Sequence, residues 1–205
     1  MFESILLVLA LSLDGFVASI AYGANKIKIP YKSIIIINMV CSSFLATSLF
    51  LGCLVKRIIS PNVTSRISFL ALMLLGIYYL FEGIIKNYLD KNWNKKLRVN
   101  LFNLKIIVDI YVDETKADFN NSKDLSSKEA LYLATALSLD SLAVGFGSSL
   151  GNINYVQVIV FSLILGMVAI PSGLFLGKKF AQKSKVNLSW LSGTLLIVLS
   201  VLKLI

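Results

Sequence analysis

The sequence predicts an all-α integral membrane protein with six transmembrane helices, arranged as two inverted three-helix repeats. Three observations carry that prediction. The 205 residues are 57% hydrophobic and 15% charged, with a mean hydropathy of +0.79, far above the range of soluble domains. The apolar residues gather into six runs, 4–24, 33–55, 67–87, 129–150, 156–177 and 187–205. At about 1.5 Å per residue, each run can cross most of a hydrocarbon core of about 30 Å. Finally, one motif occurs twice, as Ala10-Leu11-Ser12-Leu13-Asp14 and Ala136-Leu137-Ser138-Leu139-Asp140.

The first run opens with Met1-Phe2-Glu3, which lacks the basic start of a signal peptide, so this span is expected to be retained. Each motif places one carboxylate mid-way along an apolar run, where an Asp costs roughly 2.5 to 3.5 kcal/mol. Two such carboxylates brought together repel or share a proton unless a cation lies between them. Asp14 and Asp140 are therefore candidate ligands of a cation site between the halves. The alternative is a structural pair, hydrogen-bonded to nearby hydroxyls and holding no ligand. Ser12 and Ser138 sit two residues before each Asp, roughly on the opposite helix side, and are poorer candidates than Ser19 or the backbone around Gly145.

In the second run, Asn38, Ser42 and Ser43 form a polar face, with Asn38 a further candidate on the ion path; helix packing explains that face equally well. Cys41 and Cys53, the two cysteines, read as buried thiols rather than a disulfide framework. In the third run, Glu82 is either a gate ligand or an interfacial acid. Histidine is absent, so a metal site must rest on oxygen donors, with a Met or Cys as an optional helper, which favours Mg, Ca or Mn over a His-built zinc site.

The halves match in register. Phe50-Leu51-Gly52 ends the second run thirty-eight residues after Asp14, and Phe175-Leu176-Gly177 ends the fifth thirty-seven after Asp140. Three spans per half make the halves antiparallel, an arrangement that puts transporter sites near the midplane. Small residues recur too: Gly15, Ser19 and Gly23 in the first run, Ser141, Gly145 and Ser149 in the fourth. Such stripes let helices approach closely, and they predict contact between the first and fourth spans. The expected divisions are a first repeat over 1–87, a central loop over 88–128 and a second repeat over 129–205.

Of the twenty Lys and Arg residues, sixteen lie in the first, third and fifth loops, three in the second and none in the fourth. Lys203 is the last, at the end of the sixth run. By the positive-inside rule the odd loops are cytoplasmic and both termini outside.

Within the central loop, Leu97 to Val112 is too short to span and reads as a strand or an interfacial segment. Beyond it, Asp118, Asn120, Ser122, Asp124, Ser126 and Glu129 fall at positions 1, 3, 5, 7, 9 and 12 of the window 118–129, the ligand spacing of an EF-hand calcium loop. Lys123 stands where that loop has Gly. The competing reading makes Ser126 and Glu129 a capping box for the fourth helix.

Leu11-Ser12-Leu13-Asp14-Gly15-Phe16-Val17-Ala18-Ser19, Leu137-Ser138-Leu139-Asp140-Ser141-Leu142-Ala143-Val144-Gly145 and Phe81-Glu82-Gly83 resemble the signatures of the MntP-like family of manganese exporters. The longer central loop is similar to that of a sporulation-associated subgroup. The resemblance implies export of a divalent cation, manganese above all, across a bacterial cell membrane, with Asp14 and Asp140 as intramembrane ligands and Glu82 as a further acid. Those exporters carry an acid mid-way along the second span, where this chain reads Cys41-Ser42-Ser43-Phe44. The alternative it leaves is a non-transporting component of spore assembly with a structural Asp pair and a calcium- or partner-binding loop. No ATP-binding motif or catalytic constellation is visible, and neither Asp motif has the Gly-x-Gly-Asp form of intramembrane proteases, so no enzyme is expected. No permanently bound cofactor is expected either, only a divalent cation as substrate and calcium in the central loop as a candidate. The expected partners are the lipid bilayer, the metal ion and, as an open option, further copies of the chain, but no nucleic acid.

Overall fold

The computed structural model describes residues 2–93, 106–107, 109–111, 113–151, 153–180, 197–198 and 201. It is all-helical among those residues: α1 (Phe2–Ala24), α2 (Tyr31–Ile58), α3 (Pro61–Trp93), a 3-10 turn (Glu114–Ala117), α4 (Ser127–Ser149) and α5 (Tyr155–Phe180). Among the described residues, four helices are long and apolar enough to cross a membrane: Glu3–Ala24, Tyr31–Ile58, Ser127–Ser149 and Tyr155–Lys179. The chain is a multi-pass membrane protein. The third expected span falls in α3, whose apolar stretch is Arg66–Tyr78. The sixth lies outside the described residues except for Ile197, Val198 and Val201, and these are helical.

Local chemistry sets the helix ends. Lys26 takes a positive φ of 59° after α1, while the N–H groups of Lys26 and Ile27 bond to the carbonyls of Gly23 and Tyr22. This is a Schellman motif, and Ile27 and Tyr22 supply its apolar contact. Pro30 and Pro61 stand at the starts of α2 and α3, where a missing N–H breaks no helical bond. Ser126 caps α4 in a complete capping box with Glu129. Ser126→Ala is expected to lower stability by about 1 kcal/mol, measured by thermal melting in detergent.

The strand alternative is overturned at 106–107 and 109–111; the rest of the segment from Leu97 to Val112 lies outside the described residues. Ile106, Ile107, Asp109, Ile110 and Tyr111 are helical. Ile106, Ile107, Ile110 and Tyr111 share one helical face on the main core, with Ile110 fully buried. Their β-branching suggested a strand, but tertiary packing outweighs that propensity.

The small-residue stripes find partners other than those expected. α1 and α4 make little contact with each other; α1 packs on α5, and α2 on α4. Added side-chain carbons show how close these crossings are. At Gly23 a Cβ would lie 2.5 Å from the Leu174 carbonyl oxygen, and at Gly177 it would strike that of Ile20. At Gly52 it would collide with Ser149, and at Gly145 it would come within 3.0 Å of Leu45 and Ser48. The two crossings correspond in register. The glycine ending each Phe-Leu-Gly motif meets, in the other half of the chain, the position nine residues after the Asp: Gly177 meets Gly23, and Gly52 meets Ser149. One helical turn before those glycines, Gly173 lies on Ser19 and Ser48 on Gly145. Stripes of this kind specify a close approach without specifying the partner.

Between the crossings α2 meets α5, where the Asn38 amide nitrogen donates to the Leu163 carbonyl at 2.8 Å and the Ser42 and Ser162 hydroxyls lie 3.1 Å apart. α3 docks on α4 through Ser68, whose hydroxyl donates to the Gly147 carbonyl at 2.6 Å. At one end of the bundle, the loop after α1 is stitched to the central segment: Lys28 donates to the Lys123 carbonyl and Leu125 donates to that of Lys28. At the opposite end, the Lys56 ammonium donates to the Gly151 carbonyl.

Two buried apolar clusters result. The one at the loop end contains Tyr22, Ile27, Ile29, Ile110, Leu125 and Ile170; the other contains Leu6, Leu7, Val8, Leu45, Leu49 and Val158.

Candidate cation site

A cavity of about 70 Å³ lies at the seam of those clusters, bounded by α1, α2, α4 and α5. Its apolar walls come from both, Val8 and Leu45 from one and Ile37, Leu137 and Ile170 from the other. Its polar groups are Ser12, Asp14, Asn38, Cys41, Ser42, Ser141 and Ser162. On α2, Asn38, Cys41, Ser42 and Leu45 follow the spacing that puts side chains on one helical face, so the helix presents an amide, a thiol and a hydroxyl together. Gly166 leaves room for the Asn38 side-chain oxygen, which any side chain at 166 would displace. The volume suits an ion that keeps part of its water.

Asp14 lines this cavity. Asp140 is half-buried on α4 beside it, its carboxylate accepting from the backbone N–H and hydroxyl of Ser141, which does line the wall. The Cys41 thiol, in the wall of the same cavity, donates to the Ala134 carbonyl at 3.7 Å. Among the described residues, no three His, Cys, Asp or Glu side chains cluster tightly enough to hold a metal by themselves. An ion here would complete its shell with amide, hydroxyl, carbonyl or water oxygens, a hard donor set with one soft sulfur.

The other expected residues are placed as follows. Asn38 lines the cavity. Ser19 is buried under Gly173, with its hydroxyl donating to the Gly15 carbonyl at 2.6 Å, and it lines a smaller neighbouring void instead. Glu82 belongs to α3, and its side chain lies outside the described residues. Ser12 lines the same cavity as Asp14 rather than facing away from it, with its hydroxyl donating to the Leu9 carbonyl. Ser138 is fully buried and bonds to the Thr135 carbonyl. Cys41, Ser141, Ser162 and Gly166 were not singled out as ligands; for Cys41 the signal was its spacing from Asn38.

In the central segment, Asp118 accepts from the N–H groups of Ser122 and Lys123, both at 3.1 Å, and Asn120 accepts from Ser122 at 2.9 Å. The Ser122 hydroxyl donates to the Asp124 carbonyl, and the Asp124 side chain is exposed. Glu129 accepts from the Ser126 N–H at 2.8 Å, from the Ser126 hydroxyl at 2.7 Å and from the Phe119 N–H at 3.1 Å. Lys123 adopts a φ of 59°, so position 6 of the window makes its turn without glycine. Asp118 and Glu129 thus face backbone donors of their own loop, with Glu129 occupied as a cap.

Residues 99–204 match the family model described as "Putative manganese efflux pump". The chain is 30% identical over 213 residues to the "Probable sporulation protein YtaF" of Bacillus subtilis (strain 168), covering 100% of this chain and 99% of that protein. It is 24% identical over 198 residues to the "Putative manganese efflux pump MntP" of Clostridium perfringens (strain SM101 / Type A), covering 93% of this chain and 87% of the other. Against "Putative manganese efflux pump MntP 2" of Clostridium botulinum (strain Langeland / NCTC 10281 / Type F) the identity is 26% over 200 residues, with 96% and 90% covered. No solved structure matches the chain significantly. With more than half its length in the family model and its whole length aligned to the Bacillus subtilis protein, the chain belongs to the MntP family.

Proposed function

We propose that this protein is a secondary transporter that exports a divalent cation, manganese first among the candidates, through the Asp14 cavity. The observation that carries the reading is a carboxylate lining a cavity that also gathers an amide and several hydroxyls, at the seam between two buried apolar clusters, with a second carboxylate bonded to Ser141 of its wall. A carboxylate facing a small cavity among amide and hydroxyl groups offers the hard oxygen donors that a divalent cation takes in exchange for part of its water. Glu82 serves as a further acid on the path, and the family's printed description agrees with a metal cargo.

The architecture we propose is six spans in two inverted three-helix halves, with both termini outside and the central loop cytoplasmic. The matched crossings of α1 on α5 and α2 on α4 support it, since exchanging two halves of like sequence would interchange them. The meeting of the loop after α1 with the central segment at one bundle end supports the loop assignment. The halves would rock about the ion to alternate its access. The sporulation name of the Bacillus subtilis relative suggests that the export serves spore formation.

The test is metal content in cells with and without the protein, surveyed across Mn, Mg, Ca and Fe. Expression should lower cellular Mn by several-fold under Mn load and leave Mg unchanged. Identical contents of all four metals would instead favour a non-transporting component of spore assembly.

A further inference from the structure

We infer that residues 113–125 form a lid over the loop end of the Asp14 cavity, latched by Tyr22, Lys28 and Ser33, and that this lid must lift before an ion can pass on that side. A polar segment between two membrane spans has no need to touch the bundle, yet this one is held to α4 through Phe119 and is tied to α1, α2 and the loop between them at three places. The Tyr22 hydroxyl donates to the Glu114 carbonyl at 2.7 Å. Lys28 pairs with Asp124 through flanking backbone bonds of 2.8 and 2.9 Å. The Ser33 hydroxyl donates to the Leu125 carbonyl at 2.8 Å. Ala117 and Leu125 of the segment are fully buried in the bundle's own core.

The position of these ties gives them a role. Tyr22 lines a void of about 10 Å³ that shares Gly15, Ile37, Leu137 and Ile170 with the Asp14 cavity. That space admits about one water. From Asp14 toward the loop end, the path therefore meets the small void, then the Tyr22 ring, then the lid. The opposite end is closed by a helix-packed cluster around Leu7 and Leu49. Against α1 and α2 the latch is a few neutral hydrogen bonds with Ala117 and Leu125 buried beneath them, a smaller contact than the glycine crossings, so it can open locally about the Phe119 attachment to α4.

The inference rests on the reading of the cavity as the ion's site, but its first readout is independent of transport. Cys41 lines the cavity and reports access to it once the other thiol is removed by Cys53→Ser. In the full-length protein, a small charged methanethiosulfonate should modify Cys41 slowly. Tyr22→Phe with Ser33→Ala removes two side-chain ties and should speed the reaction by about fivefold or more. Lys28 and Asp124 are exposed and directly paired, so Lys28→Cys with Asp124→Cys brings two thiols within disulfide reach. Oxidising that pair should slow Cys41 modification and stop metal flux in vesicles; reduction should restore both. Equal modification rates in unlatched, locked and parent proteins would overturn the lid. Latch-dependent modification with no flux in any form would uphold the lid and sink the transport reading instead.

Discussion

Asp14→Asn should lower divalent-cation flux in proteoliposomes by between about a hundredfold and a thousandfold while leaving the protein folded. Asn keeps the shape of Asp and removes only its charge. Losing one partner of a fully buried ion pair costs roughly 3 to 5 kcal/mol; Asp14 is half-buried, which places it toward the low end, and about 1.4 kcal/mol is a factor of ten. Asp140→Asn should also reduce flux, by about tenfold or more, because its carboxylate is bonded to Ser141 of the cavity wall without lining the cavity itself. Metal flux from loaded vesicles is the measurement, with elution volume and thermal melting as controls. Unchanged flux in the Asp14 variant would remove that carboxylate from the ion path.

Gly177→Val should fail to fold or melt far below the parent. Even a single added carbon at 177 strikes the Ile20 carbonyl oxygen and lies 3.0 Å from the Gly23 α-carbon, so the α1 crossing must open. Overpacking of this kind costs typically about 1 to 3 kcal/mol, and rigid backbone on the far side gives no relief. Gly15→Ala supplies the contrast. Nothing lies within 4 Å of a carbon added there, so its thermal stability should hold or rise slightly. Equal melting of the two variants would show that α1 and α5 do not cross at Gly177.

Much of this was legible in the sequence because the relevant signals are local. Hydropathy reveals membrane spans at the scale of whole helices. The carboxylates of Asp14 and Asp140 stand out because their cost in lipid is high, and Ser126 and Glu129 form the capping box that their spacing suggests. What stayed hidden depends on partners. The stripe through Ser19 and Gly23 shows that something comes close, but it is Gly173 and Gly177 that supply the matching hollow. Ile106, Ile107 and Ile110 are β-branched and suggested a strand, although one helical face serves the core. The cavity draws Ser162 and Gly166 from a helix that carries no charge near its middle, so no expensive residue marked them.

Manganese binding to the purified protein, followed by the loss of the free-ion electron paramagnetic resonance signal, tests the central claim most directly. The account predicts one bound ion per chain in the parent and none resolvable when Asp14→Asn and Asp140→Asn are combined. Undiminished binding by the folded double variant would contradict it.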